Sequence, residues 1–106
     1  MKIRTNKNTL FLIPETDLVA SQIETLRDCF LEALTHHPDV STVILQADHI
    51  ETVDSLGVNL IIGIYRQVSF KSQTFVITGA GERFLKVAAF FQLPALFTIT
   101  GKEESK

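Results

Sequence analysis

Scarcity narrows the reading of this 106-residue chain before any motif does. A single cysteine leaves no second thiol for a disulfide or a cysteine-based metal site. Cys29 falls in an apolar helical pattern and reads as a core thiol. Tryptophan is absent, and the three prolines and five glycines are too few for a low-complexity linker. The formal charge is only −2, with both signs scattered, so there is no basic stripe for direct contact with nucleic acid. No run of twenty apolar residues occurs, which argues against membrane insertion. The start Lys2–Ile3–Arg4 leads into polar Thr5–Asn8 rather than an apolar signal region, so a cytoplasmic location is expected. What remains is 45% apolar and 21% charged, a composition that supports one real core and excludes a disordered tail. The length suits a single domain over 1–106 with no linker or repeat.

The periodicities give an element order. Extended runs at 2–5 and 9–13 flank the turn signal Asn6–Lys7–Asn8 and predict a hairpin. Pro14, which cannot donate to a ladder, closes the second strand. Ser21 and Glu24 have capping-box spacing. Ile23, Leu26, Phe30, Ala33 and Leu34 then recur at helical steps, to an end near His36–His37–Pro38. The adjacent histidines lack ligand spacing and read as a solvated helix end. Thr42–Ala47 is β-branched and apolar without alternation, as in a strand buried on both faces. A helix follows from Ser55 to Ser69, with Gly57, Val58, Leu60, Ile61, Ile64, Tyr65 and Val68 on its apolar face. Ser55, Asn59, Gly63 and Arg66 fall on the opposite stripe, with Ile62 beside them and Leu56 at the edge. Gln73–Thr78 is the next strand, Glu82–Phe91 a third helix stopped by Pro94, and Leu96–Thr100 the last strand. Gly101–Lys106 reads as frayed. The order ββαβαβαβ implies an α/β fold with a mostly parallel central sheet. Sites on such sheets gather where strand C-termini feed helices, as at Asp48–Ser55 and Thr78–Gly81.

The candidate chemistry centres on Ser55. A hydroxyl at a helix start either caps the helix or carries a phosphate where the dipole tolerates anions. Ser55 lacks a glycine two positions before it, so the nucleophile-elbow pattern fails. His49 is near in sequence but reads as a surface-loop residue. Asp48, Glu51 and Asp54 are three carboxylates that Mg²⁺ favours, yet their spacing matches no metal loop, and a solvated loop with a capping aspartate is the simpler reading. Thr78–Gly79–Ala80–Gly81–Glu82 follows a strand, but Phe84 occupies the third glycine position of a dinucleotide turn.

From Thr42 to Val68 the chain resembles the STAS domain family, the anti-sigma factor antagonists and their relatives. The resemblance rests on Val43–Ile44–Leu45, then Asp48 and Ile50, then Val53–Asp54–Ser55–Leu56–Gly57 opening an apolar helix. The overall element order is similar to the family's, as is the Phe90–Phe91–Gln92–Leu93…Leu96–Phe97 approach to the last strand. Glu15–Thr16–Asp17 looks like the family's acidic turn before the first helix, with Pro14 in place of the usual glycine.

The resemblance implies a switch rather than an enzyme, with no cofactor. Ser55 is the position a partner serine kinase, resembling the anti-sigma factor kinases, would phosphorylate, and a cognate phosphatase would reset it. Asp17, Asp54, Leu56, Asn59, Ile62 and Arg66 would form the partner surface. Other STAS relatives are constitutive subunits of lipid-transport complexes or stress-signalling scaffolds, and in that reading Ser55 is only a cap. A small hydrolase acting through Ser55 is the third alternative. Many members end in a further helix, whereas six residues follow Thr100 here; the sheet would then be short of cover that a homodimer or partner supplies.

Overall fold

The computed structural model describes residues 1–102; the expected fraying of Gly101–Lys106 is corrected at Gly101, which is buried at the end of the last strand, and from 103 on it lies outside the described residues. Strand β1 (Lys2–Asn6) turns through Lys7 and Asn8 into β2 (Thr9–Ile13), and the two pair antiparallel from Lys2↔Ile13 to Asn6↔Thr9. Lys7 takes a left-handed conformation in that turn, φ 56°. Three parallel strands follow, β3 (Thr42–Gln46), β4 (Thr74–Ala80) and β5 (Thr98–Gly101), giving one five-stranded sheet in the order β1-β2-β3-β4-β5. Between them run α1 (Ala20–His36), α2 (Ser55–Phe70) and α3 (Glu82–Phe90).

The strand order decides what is buried. Each crossover advances one strand in the same direction. Right-handed crossovers of that kind put every helix on one face of the sheet. Leu10, Val43 and Phe75 are in register on that face, as are Leu12, Leu45 and Ile77, and all six are buried. The alternate residues Phe11, Ile44 and Val76 are only half-buried, and Arg4 lies 4.7 Å over the Phe11 ring. The expectation that Thr42–Ala47 is buried on both faces is therefore corrected: β3 alternates, and among the described residues one face of the sheet carries no helix. Thr42 and Ile44 make the strand look uniformly apolar because β-branched residues suit a half-covered surface as well as a core.

Several boundaries also differ from the sequence reading, and β4 runs past Thr78 to Ala80. Helix α1 begins at Ala20 with Val19 as N-cap and no local side-chain cap, so Ser21 and Glu24 do not form a capping box. Helix α3 stops at Phe90 because Gln92 adopts a left-handed conformation (φ 59°), and Pro94 sits in a following 3₁₀ turn, Leu93–Ala95. The last strand consequently starts at Thr98, and Phe97 precedes it as a core residue, packed 4.9 Å edge-on against Phe75 and 5.3 Å from Tyr65. Cys29 is half-buried at the margin of the core, beside Met1 and Ile3, rather than inside it.

Candidate functional site

The loop between β3 and α2 is tied to the start of α1 by a set of backbone-directed contacts. Leu18 and Val53 form a short parallel bridge, in which the Leu18 N–H donates to the Thr52 carbonyl (3.0 Å) and the Asp54 N–H donates to the Leu18 carbonyl (3.1 Å). Asp17 Oδ1 accepts from the N–H groups of Glu51 (2.9 Å) and Thr52 (3.2 Å). Asp54 is the N-cap of α2: its Oδ1 accepts from the Gly57 N–H at 2.9 Å. Its Oδ2 accepts from the Ala20 N–H, also at 2.9 Å. One carboxylate thus satisfies the orphan donors of two helices, which each leave their first N–H groups without an internal partner. This explains why α1 needs no cap of its own, and it corrects the idea of Ser55 as the capping hydroxyl.

Ser55 is instead the first residue inside α2, and it is exposed. Close approach of α1's entry segment to α2 is what fixes it there. A Cβ on Gly57 would overlap the Leu18 carbonyl oxygen. Only a glycine at the third helical position lets the two segments meet at this distance.

The hydrogen bonds from Gly57, then Ala20, hold the Asp54 carboxyl below the ordinary aspartate value of 3.8, against the opposing effect of its partial burial. A folded carboxyl that binds its proton less tightly than the unfolded one stabilises the fold fully above the ordinary range. That contribution is lost as pH falls through the lowered value. Thermal melts of the protein and of Asp54→Asn should therefore differ most near neutral pH, with Asp54→Asn melting lower. The gap should narrow as the pH drops below about 3.8. A gap independent of pH would show that the carboxylate's charge is not what joins the helices.

Of the residues the sequence picked out, Asp17, Asp54, Ser55 and Leu56 are brought together by this loop. Asn59, Ile62 and Arg66 extend along α2, with Asn59 and Arg66 exposed and Ile62 half-buried. The three loop carboxylates do separate things. Asp54 caps, Glu51 offers its backbone N–H to Asp17, and the Asp48 carboxylate lies against Gly79, whose φ of +70° marks the irregularity in β4. Among the described residues no group of three or more His, Cys, Asp or Glu side chains is placed to hold a metal ion. His49 is an exposed loop residue, and His36 sets its Nδ1 2.8 Å from the Glu32 carbonyl in the last turn of α1. Sequence reasoning missed Leu18 and Ala20. Their roles are carried by main-chain atoms, and the signal that could have found them is the glycine three residues after Asp54, which invites a close neighbour. From Leu56 onward, α1 and α2 leave a groove of about 340 Å³ lined by Ile23, Arg27, Leu31, Leu56, Asn59 and Gly63, among others.

The result is a mostly parallel α/β domain with helices on one face, whose most elaborate local structure presents an exposed serine at a strand-to-helix junction. The chain belongs to the STAS domain family, whose sequence model matches residues 1–105. No curated protein sequence matches it. Among solved structures it is similar to a candidate anti-sigma factor antagonist from Thermotoga maritima, at a TM-score of 0.85 and 15% identity, covering 93% of this chain and 84% of that one. It is also similar to the anti-sigma factor antagonist SpoIIAA in its unphosphorylated form, at 0.77 and 20%, covering 98% and 90%. The phosphorylated form of the same Bacillus protein aligns at 0.70 and 20%, covering 98% and 94%. A sulfate transporter family protein from Wolinella succinogenes aligns at 0.75 and 11%, covering 91% and 80%. At these identities the likeness is one of fold. No helix among the described residues is long and apolar enough to cross a membrane.

Proposed function

We propose that this protein is an anti-sigma factor antagonist-like regulatory module, cytoplasmic and non-enzymatic, whose docking to a partner serine kinase is governed by phosphorylation at Ser55. The observation that carries this reading is the placement of Ser55. Its side chain is exposed at the first position of α2, on a turn held by Asp54, Asp17 and Leu18. A kinase needs a hydroxyl it can reach, and a switch needs that hydroxyl at the edge of a surface a partner can cover. Leu56, Asn59, Ile62 and Arg66 continue such a surface along the helix. The similarity to SpoIIAA, whose structure is known in both forms, supports the same use of the fold.

Incubation with an anti-sigma factor-type serine kinase and ATP should add one phosphate, mapped to Ser55 by mass spectrometry and absent from Ser55→Ala. A phosphate elsewhere, or none, would remove the switch. The likeness to a transporter-family protein favours a second reading, in which the domain is a constitutive subunit of a membrane-transport complex or signalling scaffold. That reading expects Ser55→Glu to leave assembly unchanged.

A further inference from the structure

The outward face of α2 is unlike that of its neighbour. Helix α1 exposes mainly polar side chains, Ser21, Glu24, Thr25, Arg27, Asp28 and Glu32, with Leu31 among them, as a largely solvated helix should. Helix α2 has sixteen residues and one charge, Arg66. Its exposed residues are Ser55, Leu56, Asn59, Gly63, Arg66, Gln67, Ser69 and Phe70; of these, Leu56, Asn59, Gly63, Gln67 and Phe70 fall within an arc of about 80° at 100° per residue, with Arg66 just beyond its edge. Leu56 is 48% exposed and Phe70 91%. Gly63 sits at the middle of the helix. A Cβ there would meet nothing within 4 Å, so nothing inside the molecule calls for the poorer helix former. Depletion of charge around exposed apolar anchors is what the core of a protein interface looks like.

The residue types in the stripe also mirror about Gly63, apolar with apolar and amide with amide. Leu56 and Phe70 lie equally far from it in sequence, on either side, and so do Asn59 and Gln67. A two-fold axis through Gly63 that pairs two copies of α2 antiparallel therefore sets like against like. Leu56 meets Phe70 of the partner subunit, Asn59 meets the partner's Gln67 as amide against amide, and glycine meets glycine where the backbones come closest. A two-fold contact demands this self-complementarity, because the same patch serves both copies. The groove of about 340 Å³ between α1 and α2 gives the partner's Phe70 an apolar seat next to Leu56.

We propose that α2 is the contact surface of a two-fold homodimer of this chain, with the two helices crossing at Gly63. The inference does not depend on Ser55 being modified. It has a consequence for that reading, since Leu56 and Asn59 belong to both surfaces: the dimer and the partner-bound form exclude one another.

Sedimentation velocity over a concentration series tests it. The protein should pass from monomer to dimer as concentration rises, and Gly63→Glu should remain monomeric throughout while keeping its circular dichroism and melting no lower than the dilute parent protein, because the site is open and glycine is the poorer helix former. In a Cys29→Ser background, Gly63→Cys should form a covalent dimer under mild oxidation, since residues on the axis approach to the roughly 4.4–6.8 Å Cα separation a disulfide requires. Glu24→Cys, away from the axis, should not. A protein that stays monomeric at every concentration overturns the proposal. So does a dimer that survives Gly63→Glu and leaves Gly63→Cys unlinked, since its interface then lies elsewhere.

Discussion

Gly57→Ala should destabilise the protein by about 2–3 kcal/mol and lower its melting temperature by roughly 10–20 °C. The added methyl meets the Leu18 carbonyl oxygen, with Leu18 Cβ only 2.9 Å away. That oxygen cannot swing aside as a flexible side chain would. It accepts the Asp54 N–H, and the same residue's N–H holds Thr52. Relief of the overlap must therefore open the Leu18–Val53 bridge and pull Ala20 away from the Asp54 carboxylate. Alanine's better helix propensity, worth about 0.5–1 kcal/mol, is too small to offset this. The same helix provides its own control. Gly63→Ala enters open space and should stabilise the dilute protein by about that propensity difference. Urea unfolding of both variants, with unchanged slope, reads the two signs directly. A mild or stabilising effect at position 57 would mean that the α1 entry segment is not clamped to α2 as described.

The contrast between these two glycines shows what a sequence can and cannot disclose. The periodicity of Gly57 to Val68 places α2 correctly to within a residue, and it puts Ser55, Asn59, Gly63 and Arg66 outside, because helical spacing is a local property. The order ββαβαβαβ is legible for the same reason. What is not legible is anything decided by a contact across the chain. Ser21 and Glu24 have the spacing of a cap, but the donor at Ala20 is satisfied by a carboxylate 34 positions on. That acceptor is charged and already in place, and the local box does not form. Thr42–Ala47 reads as doubly buried because the sequence does not say which strands lie side by side; only the monotonic strand order leaves one face uncovered. Pro94 announces the end of α3 to within a residue, but the left-handed Gln92 that makes the stop is a non-glycine residue that sequence does not mark. In the candidate site, the exposed serine and the capping aspartate are visible from residue types. The dual use of Asp54 and the part played by Leu18 need the fold.

Phosphorylation of Ser55 should weaken docking at the start of α2 by about a hundredfold or more while moving the melting temperature by only a few degrees. A phosphoserine brings about −1.5 to −2 charges at neutral pH. The helix N-terminus softens that only in part, because Asp54 already accepts from the Gly57 N–H of α2 and its lowered pKa keeps it ionised. The phosphate thus gains little from the helix dipole, about 0.3–1 kcal/mol at an exposed site, and adds its charge beside an existing one. In the free protein, water and salt screen the pair. In a docked complex they are desolvated together, and like-charge juxtaposition of that kind costs several kcal/mol; about 3 kcal/mol corresponds to the hundredfold loss. Three measurements by titration calorimetry on the cognate partner separate this from a steric effect. The loss should shrink as ionic strength rises. Ser55→Glu, with one charge and no tetrahedral bulk, should reproduce a smaller part of it. In Asp54→Asn the phosphate should cost less than in the parent protein, giving a non-zero coupling in the double-mutant cycle. Equal affinity of the phosphorylated and free forms would remove the switch. A loss that is insensitive to both salt and Asp54 would leave a switch that works by shape instead of charge.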